Sequence, residues 1–132
     1  MVSMPEPVIK MIKQSDSHKV LATVSPDGKP HAIVCASLWV KGDDTIVLGE
    51  VFMQRTAMYL QKNRNAEFLV WLGRNAYSIK AVLTDRKTEG VEYDKMCTYL
   101  DKFDFTTIAV WEFKVLEVWD ESASKTGGTQ VI

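Results

Sequence analysis

The chain reads as a mainly β domain, a six-stranded antiparallel barrel with short helices inserted between strands. Three observations lead there. The apolar residues gather in segments of strand length, rich in Val, Ile, Leu and aromatic side chains. Turn signals such as "PDGKP" and "KGDD" separate the early segments closely enough for antiparallel neighbours. The strand–helix–strand alternation of a parallel sheet is missing. A closed or nearly closed barrel is the arrangement that removes exposed strand edges from such a set.

The elements follow in order. Pro5 to Gln14 is a short helix, with Pro near its first turn and Val8, Ile9, Met11 and Ile12 as an apolar face. "KVLATVS", Lys19 to Ser25, is the first strand. "PDGKP" turns the chain, Pro presetting one backbone angle and Gly28 permitting positive φ. "HAIVCASLWV", His31 to Val40, is the second strand, and "TIVLGEV", Thr45 to Val51, the third; together these three form an antiparallel meander. A short helix follows, with Ala57 and Leu60 on one side. "AEFLVWLG", Ala66 to Gly73, is the fourth strand. "AYSIKAVLTDRK", Ala76 to Lys87, is the fifth; Tyr77, Ile79, Ala81 and Leu83 share a face and Val82 breaks the alternation. Glu89 to Phe103 returns to helical spacing through Val91, Met96, Tyr99, Leu100 and Phe103. Thr106 to Asp120 is the last long strand. Residues 1–120 make one domain, and 121–132 a polar tail that is loose or draped over a neighbour.

Composition narrows the function. A chain of 132 residues with 46% hydrophobic and 25% charged side chains suits one soluble globular domain. Sixteen basic and 17 acidic side chains, a net charge of −1, argue against nucleic acid as the main partner. A small anion remains open, since it needs only one local cation and a few donors. Cys35 and Cys97 are far apart and outside any C-x-x-C pattern, which argues against a disulfide framework or a zinc site. His18 and His31 have no ligand-spaced partner. The N-terminus lacks the apolar core of a signal peptide, and no run approaches the roughly 20 apolar residues of a membrane span. A cytoplasmic protein with reduced cysteines is expected.

Two stretches carry candidate chemistry. At the strand-to-helix junction, Gln54, Arg55 and Thr56 place an amide, a cation and a hydroxyl together. A helix start leaves backbone N–H groups without partners and carries partial positive charge, so it favours a phosphate or carboxylate. Thr56 as an ordinary helix cap beside a solvated Arg55 is the alternative. In "VCASL", the small Ala36 and Ser37 lie inside a strand between Val34 and Leu38. Small side chains there either let a planar ligand approach the backbone or let another element pack closely. Lys80 and the four tryptophans read as a solvated strand lysine and as core or interface residues. No protein acid, base or nucleophile stands out, so no catalytic residue is assigned.

"SPDGKPHAIVCASLWV", then "TIVLGEVFMQRTAMYLQKN", "AEFLVW" and "AYSIKAV" resemble the FMN-binding split-barrel family related to pyridoxamine 5′-phosphate oxidase, and its small single-domain FMN-binding proteins most. The likeness runs from about His18 to about Asp120. It rests on "DG-x-P-H" before the long strand and "F-M-x-[KR]-T-A-x-x-L-x-x-N" after the third. The resemblance implies a split β-barrel that binds FMN in a redox, electron-transfer or flavin-dependent reductase role. It implies that Arg55 and Thr56, with Met53 and Gln54 alongside, hold the phosphate. It further implies that Val34, Cys35, Ala36 and Ser37 line the flavin ring and that the backbone of Glu50, Val51 and Phe52 meets the ring or ribityl chain. A homodimer with flavin at the subunit interface is implied too, with Phe103 or Phe105 covering the partner's flavin. Arg55 stands where lysine is frequent. The extra basic residues of the larger vitamin-converting oxidases have no counterpart. The alternatives are a deazaflavin-dependent reductase of the same fold, whose acidic tail calls for a wider basic groove, and a ligand-free interaction or storage module.

Overall fold

A computed structural model describes residues 2–132. The elements are α1 (Glu6–Lys13), β1 (His18–Val24), β2 (Pro30–Val34), β3 (Leu38–Lys41), β4 (Thr45–Glu50), α2 (Gln54–Lys62), β5 (Asn65–Leu72), β6 (Asn75–Lys87), α3 (Val91–Asp101), β7 (Ala109–Asp120) and β8 (Thr129–Gln130). All pairings are antiparallel, in the order β2-β1-β5-β6-β7-β4-β3, with β8 added to β7.

That order explains why the sheet curls. Its two ends are β2 and β3, and these are joined in the chain only by Cys35, Ala36 and Ser37. So short a link forces the far edges together, and the sheet becomes a barrel split along one seam. The expected second strand, His31 to Val40, is therefore two strands. Its first half pairs with β1 and its second half with β4 (Val20 opposite Val34, Leu38 opposite Leu48). The expected meander is likewise two hairpins, β1–β2 and β3–β4, because its middle strand is broken between them. The tail is not loose: Val131 N–H donates to the Val118 carbonyl at 2.7 Å, and Ile132 packs on the core. Eight strands replace six for these two reasons.

The interior follows from period-2 patterning. Leu21, Ile46, Leu48, Phe68, Ile79, Trp111 and Phe113 are fully buried, and the Phe68 and Phe113 rings meet edge to face at 5.1 Å. The irregularity expected near Val82 is a register shift between Lys80 and Ala81. α1 closes one end of the barrel with Val8, Ile9, Met11 and Ile12, the face its spacing predicts. α3 covers the outer side of β4 and β7 through Met96 and Leu100, which pack on Val47 and Val110. Gly49 is needed at that contact, because a Cβ there would lie 2.7 Å from Met96 Sδ. The turn after β1 uses Gly28 at φ +84°, as expected of "PDGKP".

Candidate functional site

The seam brings the two candidate stretches together. Gly49 N–H donates to the Ser37 carbonyl at 2.9 Å, and Ser37 Oγ donates to the Gly49 carbonyl at 3.2 Å. The end of β4 is thus tied to the β2–β3 link, and the chain runs on from there into α2.

Both sides of this tie carry unused backbone donors. The N–H groups of Ala36 and Ser37 donate to no protein acceptor among the described residues, whereas Cys35 N–H is taken by the Lys19 carbonyl and Leu38 N–H by the Ala36 carbonyl. From Val51 to Thr56 the same holds for every N–H; the first helical bond of α2 is Ala57 N–H to the Met53 carbonyl. Helix starts always leave such groups, but here they continue back through the loop. Phe52 lies in that loop at φ 56°, a conformation that favours glycine, and the residue is 82% exposed. A non-glycine residue held this way carries about 1–3 kcal/mol of strain and is found at binding sites more than elsewhere.

The side chains divide by burial. Val34 and Ala36 are exposed at the seam, while Cys35 and Ser37 turn inward, so these two offer their backbone. Burial pushes the Cys35 thiol up to about 12, partly opposed by the Lys19 charge, so it stays protonated at neutral pH. Glu50 is buried and its carboxylate is occupied: Trp111 Nε1 donates to it at 2.8 Å and Arg86 Nε at 3.1 Å. Val51 packs against the α3 cluster, and Met53 belongs to the core. Gln54 and Arg55 are exposed, and Arg55 makes no ion pair among the described residues.

Thr56 does not cap α2. Met53 occupies the cap position without a side-chain bond. Thr56 is only 1% exposed, and its hydroxyl has no hydrogen-bond partner. An orphaned buried hydroxyl of this kind is uncommon and costs stability unless something absent here bonds it. Lys80 is engaged by Glu67 at 2.9 Å, and Lys29 lies 3.4 Å from Asp27. Phe103 and Phe105 are exposed and stack with each other, and Phe105 meets Phe52 edge to face at 5.5 Å. They therefore stand next to the seam within their own chain.

Sequence reading missed three basic side chains. Arg64 and Arg86 line a cavity of about 450 Å³ along α2, with Gln61 and Trp111. Lys19 lies in the barrel end beside Cys35. The signal for Lys19 was present, since it shares the inward alternation of Leu21 and Thr23. Among the described residues there is no cluster suited to a metal ion, and no helix is long and apolar enough to cross a membrane.

Neither a scan against protein-family models nor a search of curated proteins finds a match. Solved structures do match. An FMN-binding protein from Syntrophomonas wolfei superposes with a TM-score of 0.81 at 21% identity, over 89% of this chain and 85% of that one. A pyridoxamine 5′-phosphate oxidase-like protein of Lactobacillus delbrueckii gives 0.72 at 18%, over 89% and 93%. An F420 reductase gives 0.68 at 15%, over 87% and 98%. At such identities the likeness is one of architecture, and on it the chain has the split-barrel fold of FMN-binding and pyridoxamine 5′-phosphate oxidase-like proteins.

Proposed function

We propose that the chain binds FMN at the seam and acts as a redox flavoprotein. The observation that carries this reading is the run of free N–H groups from Val51 to Thr56, with Arg55 unpaired beside it. Amides and a guanidinium around one helix start are the donor set a phosphate monoester takes. Thr56 adds its free backbone N–H to this set, while its hydroxyl is turned inside the chain. Ala36 and Ser37 then offer their free N–H groups to the polar edge of the ring, with the exposed Val34 as apolar wall. FMN, when bound, supplies hydride or single-electron transfer. The chain's own part is to anchor the phosphate, orient the ring and limit water around it.

The assembly is proposed as a homodimer. Phe52, Phe103, Phe105 and Ile108 expose apolar surface close to the seam, which suits burial by a second copy. Phe103 and Phe105 would then lie against the partner's flavin. Two free cysteines, one buried, fit a reducing cytoplasm.

One observation favours a deazaflavin coenzyme instead. The cavity along α2 adds Arg64, which makes no ion pair among the described residues, where a longer acidic tail would lie, although Asp85 shares the lining and Arg86 is held by Glu50. The absorbance spectrum and mass of the co-purified ligand decide between the two. Titration of apo-protein with FMN, followed by flavin fluorescence quenching, tests the phosphate assignment: Arg55→Ala weakens binding by roughly tenfold or more, the worth of a charge-assisted hydrogen bond. Equal affinity in variant and parent refutes it. A colourless protein that takes up neither coenzyme points to the ligand-free interaction module.

A further inference from the structure

A cavity of about 620 Å³ opens between the end of α1, the β2–β3 link and α3. A space of this size accommodates a small organic molecule. Its charge is one-sided. Lys13 and Lys19 line it, and no Asp or Glu does, although acids outnumber bases in the chain as a whole.

Lys19 is the built part of the site. It is 8% exposed, and its ammonium donates to Ser17 Oγ at 2.8 Å and lies 3.4 Å from the carbonyls of Gln14 and Ser17. The Gln14 carbonyl is at the C-cap of α1, where the helix favours a cation, and Ser17 follows just before β1. The ammonium is therefore fixed by neutral groups and left without a counter-charge. Exposed Asp16 acts on it through space and makes no ion pair with it. Loss of hydration lowers the Lys19 pKa, and a carboxylate entering the cavity would compensate for it. Cys35, the remaining titratable group facing Lys19, is a neutral thiol.

The other walls are aromatic. Trp39 and Trp71 line the cavity with Tyr99. The Trp39 indole is held by its Nε1 donating to Glu92 at 3.2 Å and by the edge of Tyr99 at 6.2 Å. Trp71 lies 5.1 Å from the His18 ring. Fixed aromatic faces beside a single buried cation select a flat molecule with one anionic end.

We infer that this cavity binds a planar organic carboxylate, its anionic end at Lys19 and its ring against Trp39, Trp71 and Tyr99. Val34, Cys35 and Ala36 border this cavity and also form the proposed flavin wall, so the occupant would lie directly against the cofactor; in that respect alone the inference rests on the flavin reading.

The test is a tryptophan-fluorescence titration of the full chain, without added FMN, against benzoate and its neutral counterpart benzyl alcohol. Benzoate is expected to bind saturably and at least about tenfold more tightly, the preference a fixed ammonium gives a carboxylate. Lys19→Met abolishes that preference, and Lys13→Gln, at the exposed rim, reduces it. Equal binding of the two probes, or no saturable benzoate binding, overturns the inference. So does a Lys19→Met protein with native circular dichroism and unchanged benzoate affinity. If Lys19→Met fails to fold, the probe ratio in the parent and its response to Lys13→Gln decide. A parallel FMN titration separates the two readings: benzoate uptake without FMN uptake removes the flavin and keeps the cavity, and the converse does the reverse.

Discussion

Substituting Gly49 by alanine should harm both the fold and the site. Gly49 lies in β4, between α3 on one side and the β2–β3 link on the other. A Cβ there would sit 2.7 Å from Met96 Sδ, 2.9 Å from Met96 Cγ and 3.1 Å from Ser37 Oγ. Carbon and sulfur atoms rest at about 3.5–4 Å, so something must move by roughly an ångström. Met96 is fully buried among Val47, Leu100 and Val110, which limits its retreat. Overpacking of this kind costs about 1–3 kcal/mol. At this length each kcal/mol lowers Tm by roughly 3–5 °C. Urea unfolding followed by circular dichroism measures the loss directly. The same displacement loosens the two Ser37–Gly49 hydrogen bonds, so FMN affinity should fall with it. Met96→Ala removes the obstructing atoms. Combined with Gly49→Ala, it should therefore cost less than the two single changes added together, a coupling of about 0.5–3 kcal/mol. A Gly49→Ala protein within about 0.5 kcal/mol of the parent, the level of an ordinary surface change, would refute the reasoning.

Other outcomes follow from single residues. Thr56→Val replaces an orphaned hydroxyl with a methyl group of the same shape; the apo-protein should become more stable by about 1 kcal/mol in urea unfolding, and FMN affinity should be kept because the backbone N–H remains. For Glu112, burial pushes the carboxyl up, but the Lys87 hydrogen bond at 2.9 Å and the Lys41 and Lys87 charges outweigh it and hold the carboxyl below its ordinary value of 4.5. A depressed carboxylate contributes stability that is complete above 4.5 and is lost as pH falls through the lower folded value. The acid limb of a stability-against-pH curve should therefore be shallower in Glu112→Gln, which should also be less stable at pH 7. Cys35 should resist a thiol reagent at pH 8 until the protein unfolds, while the partly exposed Cys97 reacts first; mass spectrometry after brief labelling reads which residue is modified.

Local patterning alone determined much of this protein. Alternation placed the strands, "PDGKP" placed the first hairpin turn, and helical spacing placed α1 and α3 to within a few residues, because each signal lies within one element. The junction at Gln54–Thr56 was legible for the same reason. What the sequence left open is decided by closure. "HAIVCASLWV" has the composition of one continuous strand, and only the joining of the two sheet edges breaks it at Cys35–Ser37 and frees the N–H groups there. The orphaned state of Thr56, the engagement of Glu50 by Trp111 and Arg86, and the cavity around Lys19 each depend on residues distant in the chain. A side chain's periodicity gives the face it occupies. Which partners reach it there is fixed only when the barrel closes.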